Sequence, residues 1–340
     1  MKGLRRFVTP LRLAVGGVAL LIVAFVLLLT MSSSAFLLVP DKAHPLAGLV
    51  KVPDAKPDHD GGGIYYVDVI ERKATLLERI FPGLRKGATL VQHNQLAPPG
   101  ISDTQRVKAD RLDMQLSQQV ASAVALRALG YKVAIRQNGV RVALVYRRTN
   151  ANGRLRPGDV IVAADGKPVR SIADLHAIIA RHRVGDVVPI VFLRNGVRHS
   201  VRIKTTADPL DPKRAIIGIG PQPAIQLRTP FKIKFDLGNV GGPSAGLAFA
   251  LQILEASGRD VDHGHKVAAT GTINPDGSVG EVGGIKQKVI GAETPKVDVF
   301  LVPAGDNYRE ARKYAHGLRV IPVKTFQQAL HTLATLPTRG

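Results

Sequence analysis

Residues Gly238–Gly246 have the sequence GNVGGPSAG, and the elements on either side of them are arranged around this stretch. A strand-like run, Phe231–Leu237, precedes it, and Leu247–Leu254, in which only Gln252 is polar, follows it. A run that is apolar on nearly all sides predicts a buried helix, so Ser244 is expected at or near the first turn. The amides of a helix's first turn lack intrahelical partners, and the dipole there favours negative charge.

Two interpretations of Ser244 are open from this stretch alone. In the first, the serine caps the helix after a glycine loop, because serine is a preferred N-cap residue. In the second, its hydroxyl forms an acyl-enzyme and neighbouring amides stabilise the oxyanion, with glycines allowing close approach of the backbone. The second interpretation requires a base elsewhere in the chain.

The composition of the chain limits its class and its partners. A length of 340 residues is enough for two or three domains with their own cores. The absence of cysteine excludes disulfides, thiolate catalysis and cysteine-ligated metal sites, and no metal or cofactor is predicted. The net charge of +21 indicates solvated basic faces or attraction to an anionic membrane or wall polymer. Nucleic acid is not a predicted partner, because aromatics make up only 5% and no zinc-finger or RNA-binding signature occurs.

The N-terminal residues predict a membrane anchor. An uncharged stretch runs from 13 to 40, and its most apolar part, Leu13–Thr30, has 18 residues, the lower edge of what spans a bilayer. Four basic residues precede it: Lys2, Arg5, Arg6 and Arg12. This charge predicts a cytoplasmic N terminus and a single-pass protein of the cell membrane whose catalytic part is extracytoplasmic. A cleaved signal peptide is the alternative, because Ser33–Ala35 supplies small residues, but the long apolar segment favours an anchor.

The remainder of the chain divides into segments by composition and periodicity. Residues 41–63 are rich in Pro, Gly, Asp and Lys, which predicts a linker. Residues 64–130 are predicted to be an N-terminal scaffold segment, in which Asp103–Leu129 has a helical pattern that Gly130 ends. We expect an anchor at 1–40, a small β-rich domain at 131–205 and an α+β domain at 206–340.

The β-rich domain has its own sequence signature. Val187–Leu193 and Val197–Ile203 are predicted to pair across Arg194-Asn195-Gly196, a strong hairpin signal. Ser171 and Asp174 are placed to form a capping box for a short helix.

Two segments of this domain, Arg156–Ile161 (RPGDVI) and Asp165–Val169 (DGKPV), resemble the usual phrase of bacterial PDZ domains. The resemblance implies a groove in which an extended peptide, often a C terminus, adds as a strand. The loop that holds the peptide carboxylate is predicted at Gln137, Asn138 and Gly139.

The chain does not fit the hydrolase motif that it superficially matches. Residues Gly242–Gly246 satisfy G-x-S-x-G, the nucleophile elbow of α/β-hydrolases. That elbow needs a strand running directly into the serine, whereas loop residues Gly238–Gly242 precede Pro243. Only 96 residues follow Ser244, too few for the remaining strands with their acid and histidine. Another base is therefore required.

A buried lysine is the other base available to a serine, because desolvation favours the neutral amine. The segment Gly283–Ala292 (GGIKQKVIGA) offers Lys286 and Lys288, which stand about 200° apart on a helix, so that both cannot face one serine. Lys288 shares a stripe with Ile285, Val289 and Ala292. Ile290 lies on the side of Lys286, so periodicity favours Lys288 without excluding Lys286 or a solvated face for either.

Three segments together resemble the proteolytic domain of the Lon-type serine–lysine proteases, in the same order and at fitting separations: Gly242–Gly246 (GPSAG), Ala269–Ile273 (ATGTI) and Val282–Lys288 (VGGIKQK). The resemblance implies that Ser244 is the nucleophile, that the second lysine, Lys288, is the general base, and that Thr270 hydrogen-bonds the catalytic amine. It also implies supporting positions at Gly242, Pro243, Gly246, Gly283 and Gly284. The sequence departs from the family at Gly241, where many members have an acidic residue.

An anchor, a PDZ domain and a Lon-like domain together resemble the membrane-anchored Lon-like proteases of Gram-positive bacteria. The implied fold is α+β and multidomain: a transmembrane helix, a PDZ-like β-rich domain and a Lon-type proteolytic α+β domain. The implied partners are protein or peptide substrates, and a homo-oligomer, a hexamer, is implied by the resemblance only. No G-x-x-x-x-G-K-[ST] motif occurs, so we expect no ATP use and substrates that are unfolded or flexible.

Two hypotheses of other classes compete with this one. The chain could be a non-catalytic, membrane-anchored PDZ adaptor with a vestigial protease domain, although the complete serine, threonine and lysine set argues against decay. It could also be a small-molecule kinase that holds phosphate at the glycine-rich loop, since helix N-termini bind anions. The predicted topology argues against the kinase.

Overall fold

The computed structural model describes residues 10–56, 61–97 and 100–337. The helices in these ranges are α1 (Pro10–Thr30), α2 (Leu76–Ile80), α3 (His93–Leu96), α4 (Asp103–Ala128), α5 (Ile172–Ile179), α6 (Gly246–Ala256), α7 (Ile285–Ala292), α8 (Asp306–Tyr314) and α9 (Phe326–Ala334). The strands are β1 (Ser32–Pro40), β2 (His44–Pro45), β3 (Val50–Lys51), β4 (Gly63–Tyr66), β5 (Val69–Thr75), β6 (Thr89–Val91), β7 (Ala134–Val145), β8 (Val160–Ala164), β9 (Lys167–Pro168), β10 (Val187–Arg194), β11 (Val197–Lys204), β12 (Thr206–Ala207), β13 (Ala215–Ile216), β14 (Ile219–Arg228), β15 (Lys234–Phe235), β16 (Lys266–Ala269), β17 (Thr272–Ile273), β18 (Val279–Gly280), β19 (Val299–Pro303) and β20 (Arg319–Val323).

The N-terminal helix α1 is a candidate membrane span. Its stretch Leu13–Thr30 has a mean hydropathy of 2.8, and none of it is buried in the protein. A signal sequence near the N terminus has the same properties, so length and composition leave both functions open. The basic residues Lys2, Arg5 and Arg6 and the side chain of Arg12 lie outside the described part of the chain. The orientation of α1 stays a prediction.

A mixed sheet organises the largest core. Its order is β2–β4–β16–β19–β20, in which β2 is antiparallel to β4 and the other neighbours are parallel. Every residue of β19 is buried, as expected of a parallel strand covered on both faces. Helix α6 lies against this sheet, with Phe249 and Leu251 fully covered, and α4 packs on α6.

This core is assembled from two distant parts of the sequence. Strand β4 pairs with β16, β3 pairs with β15, and α4 contributes apolar side chains to the same cluster. Residues 41–63 were expected to be a linker, but the described part of this stretch contains β2, β3 and the start of β4. The linker prediction is wrong for these strands, because the hydrophobic core covers Leu46 and Val50. Residues 57–60 of the same stretch lie outside the described residues.

The β-rich domain has a separate core. Its sheet has the order β11–β10–β8–β7–β14, with β9 paired to β8, and α5 packs on it through Leu175, Ile178 and Ile179. Asn195 and Gly196 have φ values of 52° and 81°, which suit the tight turn between β10 and β11, so the predicted hairpin is confirmed. The capping box of Ser171 and Asp174 is also confirmed. Strand β14 joins this sheet although it lies beyond residue 205, where we expected the domain to end.

Candidate active site

Ser244 lies in a loop that the scaffold helix α4 holds in place. The helix predicted to begin at Pro243 begins instead at Gly246, so Ser244 precedes α6 rather than lying in its first turn. The amide of Gly242 donates to the carbonyl of Asp110 at 2.8 Å, and the Ser117 hydroxyl donates to the carbonyl of Pro243 at 3.1 Å. In a helix that began at Pro243, the Pro243 carbonyl would accept from the Leu247 amide. It accepts from Ser117 instead, and the Leu247 amide donates to Gly271, so the helix starts later than the apolar pattern predicts.

The strand end at Thr270–Gly271 fixes the other side of this loop. The Ser244 carbonyl accepts from the Gly271 amide at 2.8 Å and from the Thr270 hydroxyl at 3.1 Å. The Leu247 amide in turn donates to the Gly271 carbonyl at 3.1 Å. Two donors on one carbonyl orient the serine backbone, so the hydroxyl of Ser244 projects from a fixed position.

Lys288 reaches the same point from α7. Its side chain is only 3% exposed, and its amine donates to the Thr270 hydroxyl at 3.2 Å. Burial lowers the pKa of Lys288 from its ordinary value to about 7, while the nearby Asp68 carboxylate opposes part of this decrease. A lysine with such a pKa is substantially neutral near pH 7, and a neutral amine has the lone pair that a general base needs.

Ser244 and Lys288 line one cavity of about 560 Å³. Pro243, Gly283 and Gly284 line it as well, together with apolar side chains of Leu38, Val69, Ile70 and Val240. Among the described residues, no hydrogen bond joins the Ser244 hydroxyl directly to the Lys288 amine. The Thr270 hydroxyl accepts from the Lys288 amine and donates to the backbone carbonyl of Ser244, so it links the lysine to the serine backbone. Catalytic hydrogen bonds are often long before substrate binds, so this geometry is compatible with a dyad.

At two of the predicted glycine positions, Gly246 and Gly284, a side chain would collide with neighbouring residues. A Cβ on Gly246 would lie 2.9 Å from the Ser117 hydroxyl and 3.1 Å from the Ile273 amide nitrogen. Gly284 has a φ of 71°, and a Cβ there would lie 2.8 Å from Val69. The first glycine lets α6 begin against its neighbours, and the second lets α7 begin beside the cavity. Gly242 also has a positive φ, of 85°, at the turn before Pro243.

Lys286, the alternative base, lies on another face of α7. Its amine donates to the Ala88 carbonyl at 3.3 Å and to the Thr89 hydroxyl at 3.5 Å. It is also 5.7 Å from the centre of the Tyr314 ring. It does not line the cavity that contains Ser244. The structure therefore brings Lys288, and not Lys286, to the serine, which periodicity alone left open.

Sequence reasoning missed Asp68, which lines the same cavity. Its Oδ1 atom is buried without a hydrogen-bond partner, and burial, reinforced by Asp41, raises the pKa of Asp68. Ligand-type atoms of Asp41, His44 and Asp68 lie within 4.8 Å of one another, and His44 pairs with Asp41 at 3.0 Å. Distances alone would also allow a cation among these three groups. Only the fold reveals this carboxylate, because more than two hundred residues separate it from Lys288 in the sequence.

The residues predicted to hold a peptide carboxylate are placed differently. Gln137, Asn138 and Gly139 lie within strand β7 and not in a loop. Gln137 pairs with Ile225 of β14, and the amide of Gly139 donates to the carbonyl of Arg170 at 3.2 Å. The prediction of a loop is wrong because the partner strand β14 extends β7 beyond the expected start at Val140.

Comparison with known proteins identifies both folded regions. A PDZ domain model matches residues 127–205, and a model of the Lon protease (S16) C-terminal proteolytic domain matches residues 233–335. The structure thus joins a PDZ domain to a proteolytic domain. The proteolytic domain is of the Lon type, and the chain carries an N-terminal apolar helix before both.

Individual relatives match one region each. The serine protease Do-like HtrA of Lactobacillus helveticus is 41% identical over 69 residues, which are 20% of this chain and 17% of that protein. Lon protease of Neorickettsia sennetsu is 35% identical over 101 residues, 28% of this chain and 12% of that protein. Lon protease 2 of Bacillus subtilis is 33% identical over 98 residues, with shares of 29% and 17%. The chain therefore spans less than a fifth of each of these relatives.

Among solved structures, the PDZ domain of the SdrC-like protein from Listeria innocua is 32% identical to this chain. The match covers 25% of this chain and 93% of that one, with a TM-score of 0.24.

Proposed function

We propose that the chain is a serine endopeptidase in which Ser244 is the nucleophile and Lys288 is the general base. The observation that carries this proposal is the buried Lys288 amine, which is bonded to Thr270 beside the Ser244 loop and lines one cavity with Ser244. The matches to Lon proteolytic domains support the same chemistry.

The first chemical step uses the neutral amine of Lys288. The Ser244 hydroxyl attacks the carbonyl carbon of a peptide bond, and its proton passes to the lysine nitrogen. Because the amine donates one N–H to Thr270, its lone pair can point to the serine. The substrate oxygen becomes negatively charged and needs hydrogen-bond donors.

Backbone amides of the loop can supply these donors. The amides of Gly246 and Leu247 already donate to Pro243 and Gly271. Those of Ser244 and Ala245 have no backbone acceptor in the described residues, and they adjoin the nucleophile. We assign the oxyanion to these two amides instead of the first-turn amides that the sequence suggested.

The second half of the reaction returns the proton. Collapse of the tetrahedral intermediate breaks the C–N bond, and the lysine ammonium gives its proton to the leaving amine. Water, deprotonated by the same lysine, then attacks the acyl carbon. The bond to the Ser244 oxygen breaks, the second product leaves, and the lysine ammonium returns its proton to the serine oxygen. The amine is neutral again at the end of the cycle.

The biological setting follows from the other segments and rests on the sequence. We propose that α1 anchors the protein as a single-pass protein of the cell membrane, with the catalytic part extracytoplasmic, and that catalysis does not use ATP. The PDZ domain would position flexible or unfolded protein segments, and six copies would assemble by analogy with Lon-like domains. The proposed units remain 1–40, 41–63, 64–130, 131–205 and 206–340, with β2, β3 and β4 now counted in the proteolytic core.

The test is hydrolysis of an unstructured fluorogenic peptide by the full-length protein in detergent micelles. We expect cleavage by the wild type without ATP, and none by Ser244→Ala or Lys288→Met. Full activity in both variants would refute the dyad. A non-catalytic PDZ adaptor remains the second candidate, because no hydrogen bond joins the Ser244 hydroxyl to the Lys288 amine among the described residues. If the wild type cleaved no peptide, this candidate would be favoured.

A further inference from the structure

Three large apolar side chains are exposed beside the end of α1. Ile80, Phe81 and Leu84 are exposed by 57%, 56% and 59%, although these residue types are usually covered in a folded protein. Ile80 ends α2, and Phe81 precedes a 3₁₀ turn, Pro82–Leu84, that follows α2 directly. Single exposed apolar residues are common, but three so close together form a patch, and such a patch indicates an interaction surface.

The charged side chains within this patch are all positive. Residues 79–86 have the sequence RIFPGLRK, contain no acidic residue, and are exposed along their whole length. The acidic residue just before them, Glu78, is 8% exposed and accepts hydrogen bonds from the guanidinium groups of Arg72 and Arg85. Apolar side chains interspersed with basic ones are typical of a segment that lies in the headgroup region of an anionic membrane.

The patch is joined directly to the proposed membrane anchor. The amide of Leu76, the first residue of α2, donates to the carbonyl of Met31, which follows α1, at 3.0 Å. Thr75 lies opposite Ser32 where β5 pairs with β1, and α2 contacts α1. Because a backbone hydrogen bond connects these two ends, α2 begins at the level at which α1 ends.

The length of α1 places this level at the edge of the hydrocarbon core of a bilayer. The candidate span Leu13–Thr30 has 18 residues. At 1.5 Å per residue it is about 27 Å long, close to the thickness of a hydrocarbon core, which is about 30 Å. Helix α2 has five residues and is about 7 Å long, so the patch lies within about one headgroup layer of this boundary. This placement is the same for either orientation of α1.

We propose that residues 79–86 are a membrane-docking surface, which inserts Ile80, Phe81 and Leu84 into the headgroup region of an anionic bilayer beside the end of α1. The proposal rests on the proposed anchoring by α1 and not on the dyad. A second contact with the bilayer restrains rotation of the protein about α1. Strand β5 leads from this surface to the cavity that contains Ser244, so the docking surface also orients that cavity relative to the membrane.

The test measures how deeply single labelled cysteines lie in a bilayer. Because the chain contains no cysteine, each variant carries one, which is labelled with the environment-sensitive fluorophore NBD. The full-length protein is reconstituted in vesicles of phosphatidylcholine and phosphatidylglycerol that contain a lipid with a nitroxide quencher at a shallow or a deep position of its acyl chain. Proteolysis is not measured, so the result is independent of catalysis.

Two labelled positions test the docking surface and two are controls. Phe81→Cys and Leu84→Cys lie within it. Leu21→Cys, at the middle of α1, reports whether α1 spans the bilayer. Val197→Cys, in β11 of the PDZ domain, replaces a residue that is as exposed as Leu84 and reports on collisions of any exposed residue with the vesicle.

We expect the labels at Phe81 and Leu84 to lose at least about half of their emission to the shallow quencher and less to the deep one, because interfacial segments lie about 5–10 Å into the headgroup boundary. The label at Leu21 should show the reverse order, and the label at Val197 should be unaffected by either quencher. With the label at Ile80→Cys, the further changes Phe81→Asp and Leu84→Asp should abolish shallow quenching, because the charged carboxylates do not enter the interface.

Each contrary outcome has a distinct meaning. Quenching at Leu21 without quenching at Phe81 and Leu84 would overturn the docking surface and leave the anchor intact. A blue-shifted label at Leu84 that lipid nitroxides do not quench would show that another protein surface, such as a second copy of the chain, covers the patch instead. Absence of quenching at Leu21 would refute the anchor and the docking surface together. Equal quenching at Val197 would show that the contact is not specific to residues 79–86.

Discussion

Lys286 and Lys288 stand two residues apart on α7 and have opposite surroundings. The amine of Lys286 has two oxygen acceptors, on Ala88 and Thr89, and the ring of Tyr314 lies close to it. The amine of Lys288 is enclosed and contacts the Thr270 hydroxyl. The first lysine has oxygen acceptors and an aromatic ring around its amine, whereas burial of the second favours a neutral amine.

The difference between the two lysines lies in their burial, which lowers the pKa of Lys288 as the proposed base requires. Both lysines lie on the same helix, and water solvates both amines equally in the unfolded chain. What separates them is the side of α7 that faces the sheet of β4 and β16, where Ile285 and Val289 are fully covered. Exchanging or removing either amine should therefore have different effects on activity, on stability and on pH dependence.

The largest expected effect is on peptide cleavage. Lys288→Met and Ser244→Ala should each lower kcat/KM by about 10³-fold or more, because the first removes the proposed base and the second removes the proposed nucleophile. Lys286→Met, the matched control, should stay within about threefold of the wild type because it touches no reacting group. Initial rates on an unstructured fluorogenic peptide check this. Equal losses in the two lysine variants would remove the distinction between them.

The second effect is on stability and has the opposite sign for the two lysines. The pKa of Lys288 is about 7 in the folded protein and near its ordinary 10.5 when unfolded. Between these pH values the unfolded state binds more protons than the folded state, so the stability of the wild type rises with pH. Below pH 7 the cost of burying the Lys288 amine destabilises the folded protein in full. Lys288→Met removes this penalty and should stabilise the protein by about 2 to 4 kcal/mol at pH 7, less at pH 10.

Thermal unfolding at the two pH values measures this difference. Lys286→Met should be neutral or destabilising by up to about 1 kcal/mol, because it loses partly buried hydrogen bonds to Ala88 and Thr89. If Lys288→Met destabilised the protein at pH 7 to the same extent as Lys286→Met, burial of the Lys288 amine would not lower the stability of the folded wild type.

Thr270→Val should have an intermediate effect. Valine keeps the shape but removes the hydroxyl that accepts from Lys288 and donates to the Ser244 carbonyl. Loss of both hydrogen bonds in a buried site should lower kcat by about 10- to 100-fold, with a smaller change in KM. Thr270→Ser restores the hydroxyl and should recover most of the activity. No rescue by serine would indicate a packing role only.

The smallest effect is expected for Asp68→Asn. The carboxylate of Asp68 raises the pKa of Lys288, so its neutralisation should lower that pKa and move the acidic limb of the pH–rate profile to lower pH by about half a unit to one unit. Asp41 and His44 face the same carboxylate, and burial, with the charges of Asp68 and Asp41, raises the pKa of Tyr66 to about 12. The exposed Asp236→Asn is the control and should not shift the profile. A shift to higher pH would contradict the assigned charge interaction.

Local patterns predicted much of the fold. The helix of α4, the hairpin of β10 and β11 and the helix of α7 follow from periodicity, caps and an Asn-Gly turn, which act within a few residues. The strands β2 and β3 could not be predicted this way, because each is only two residues long and exists through pairing with distant strands. Their sequence, rich in Pro and Lys, has the local character of a linker.

The same distinction applies to the site. Ser244, Thr270 and Lys288 were found from the resemblance of three short segments, which is local information. Asp68 and the support of the loop by Asp110 and Ser117 depend on how distant segments meet. The late start of α6 has the same cause, because contacts with α4 take the place of hydrogen bonds in its first turn.

The most direct test of the dyad is covalent labelling of Ser244. Full-length protein is treated with a serine-directed fluorophosphonate, and the modified residue is identified by tandem mass spectrometry across a pH series. We predict labelling at Ser244 in the wild type and in Lys286→Met, with a midpoint near pH 7, and no labelling in Lys288→Met. Equal labelling of the Lys288→Met protein, or labelling only at another serine, would contradict the assignment of Lys288 as the base that activates Ser244.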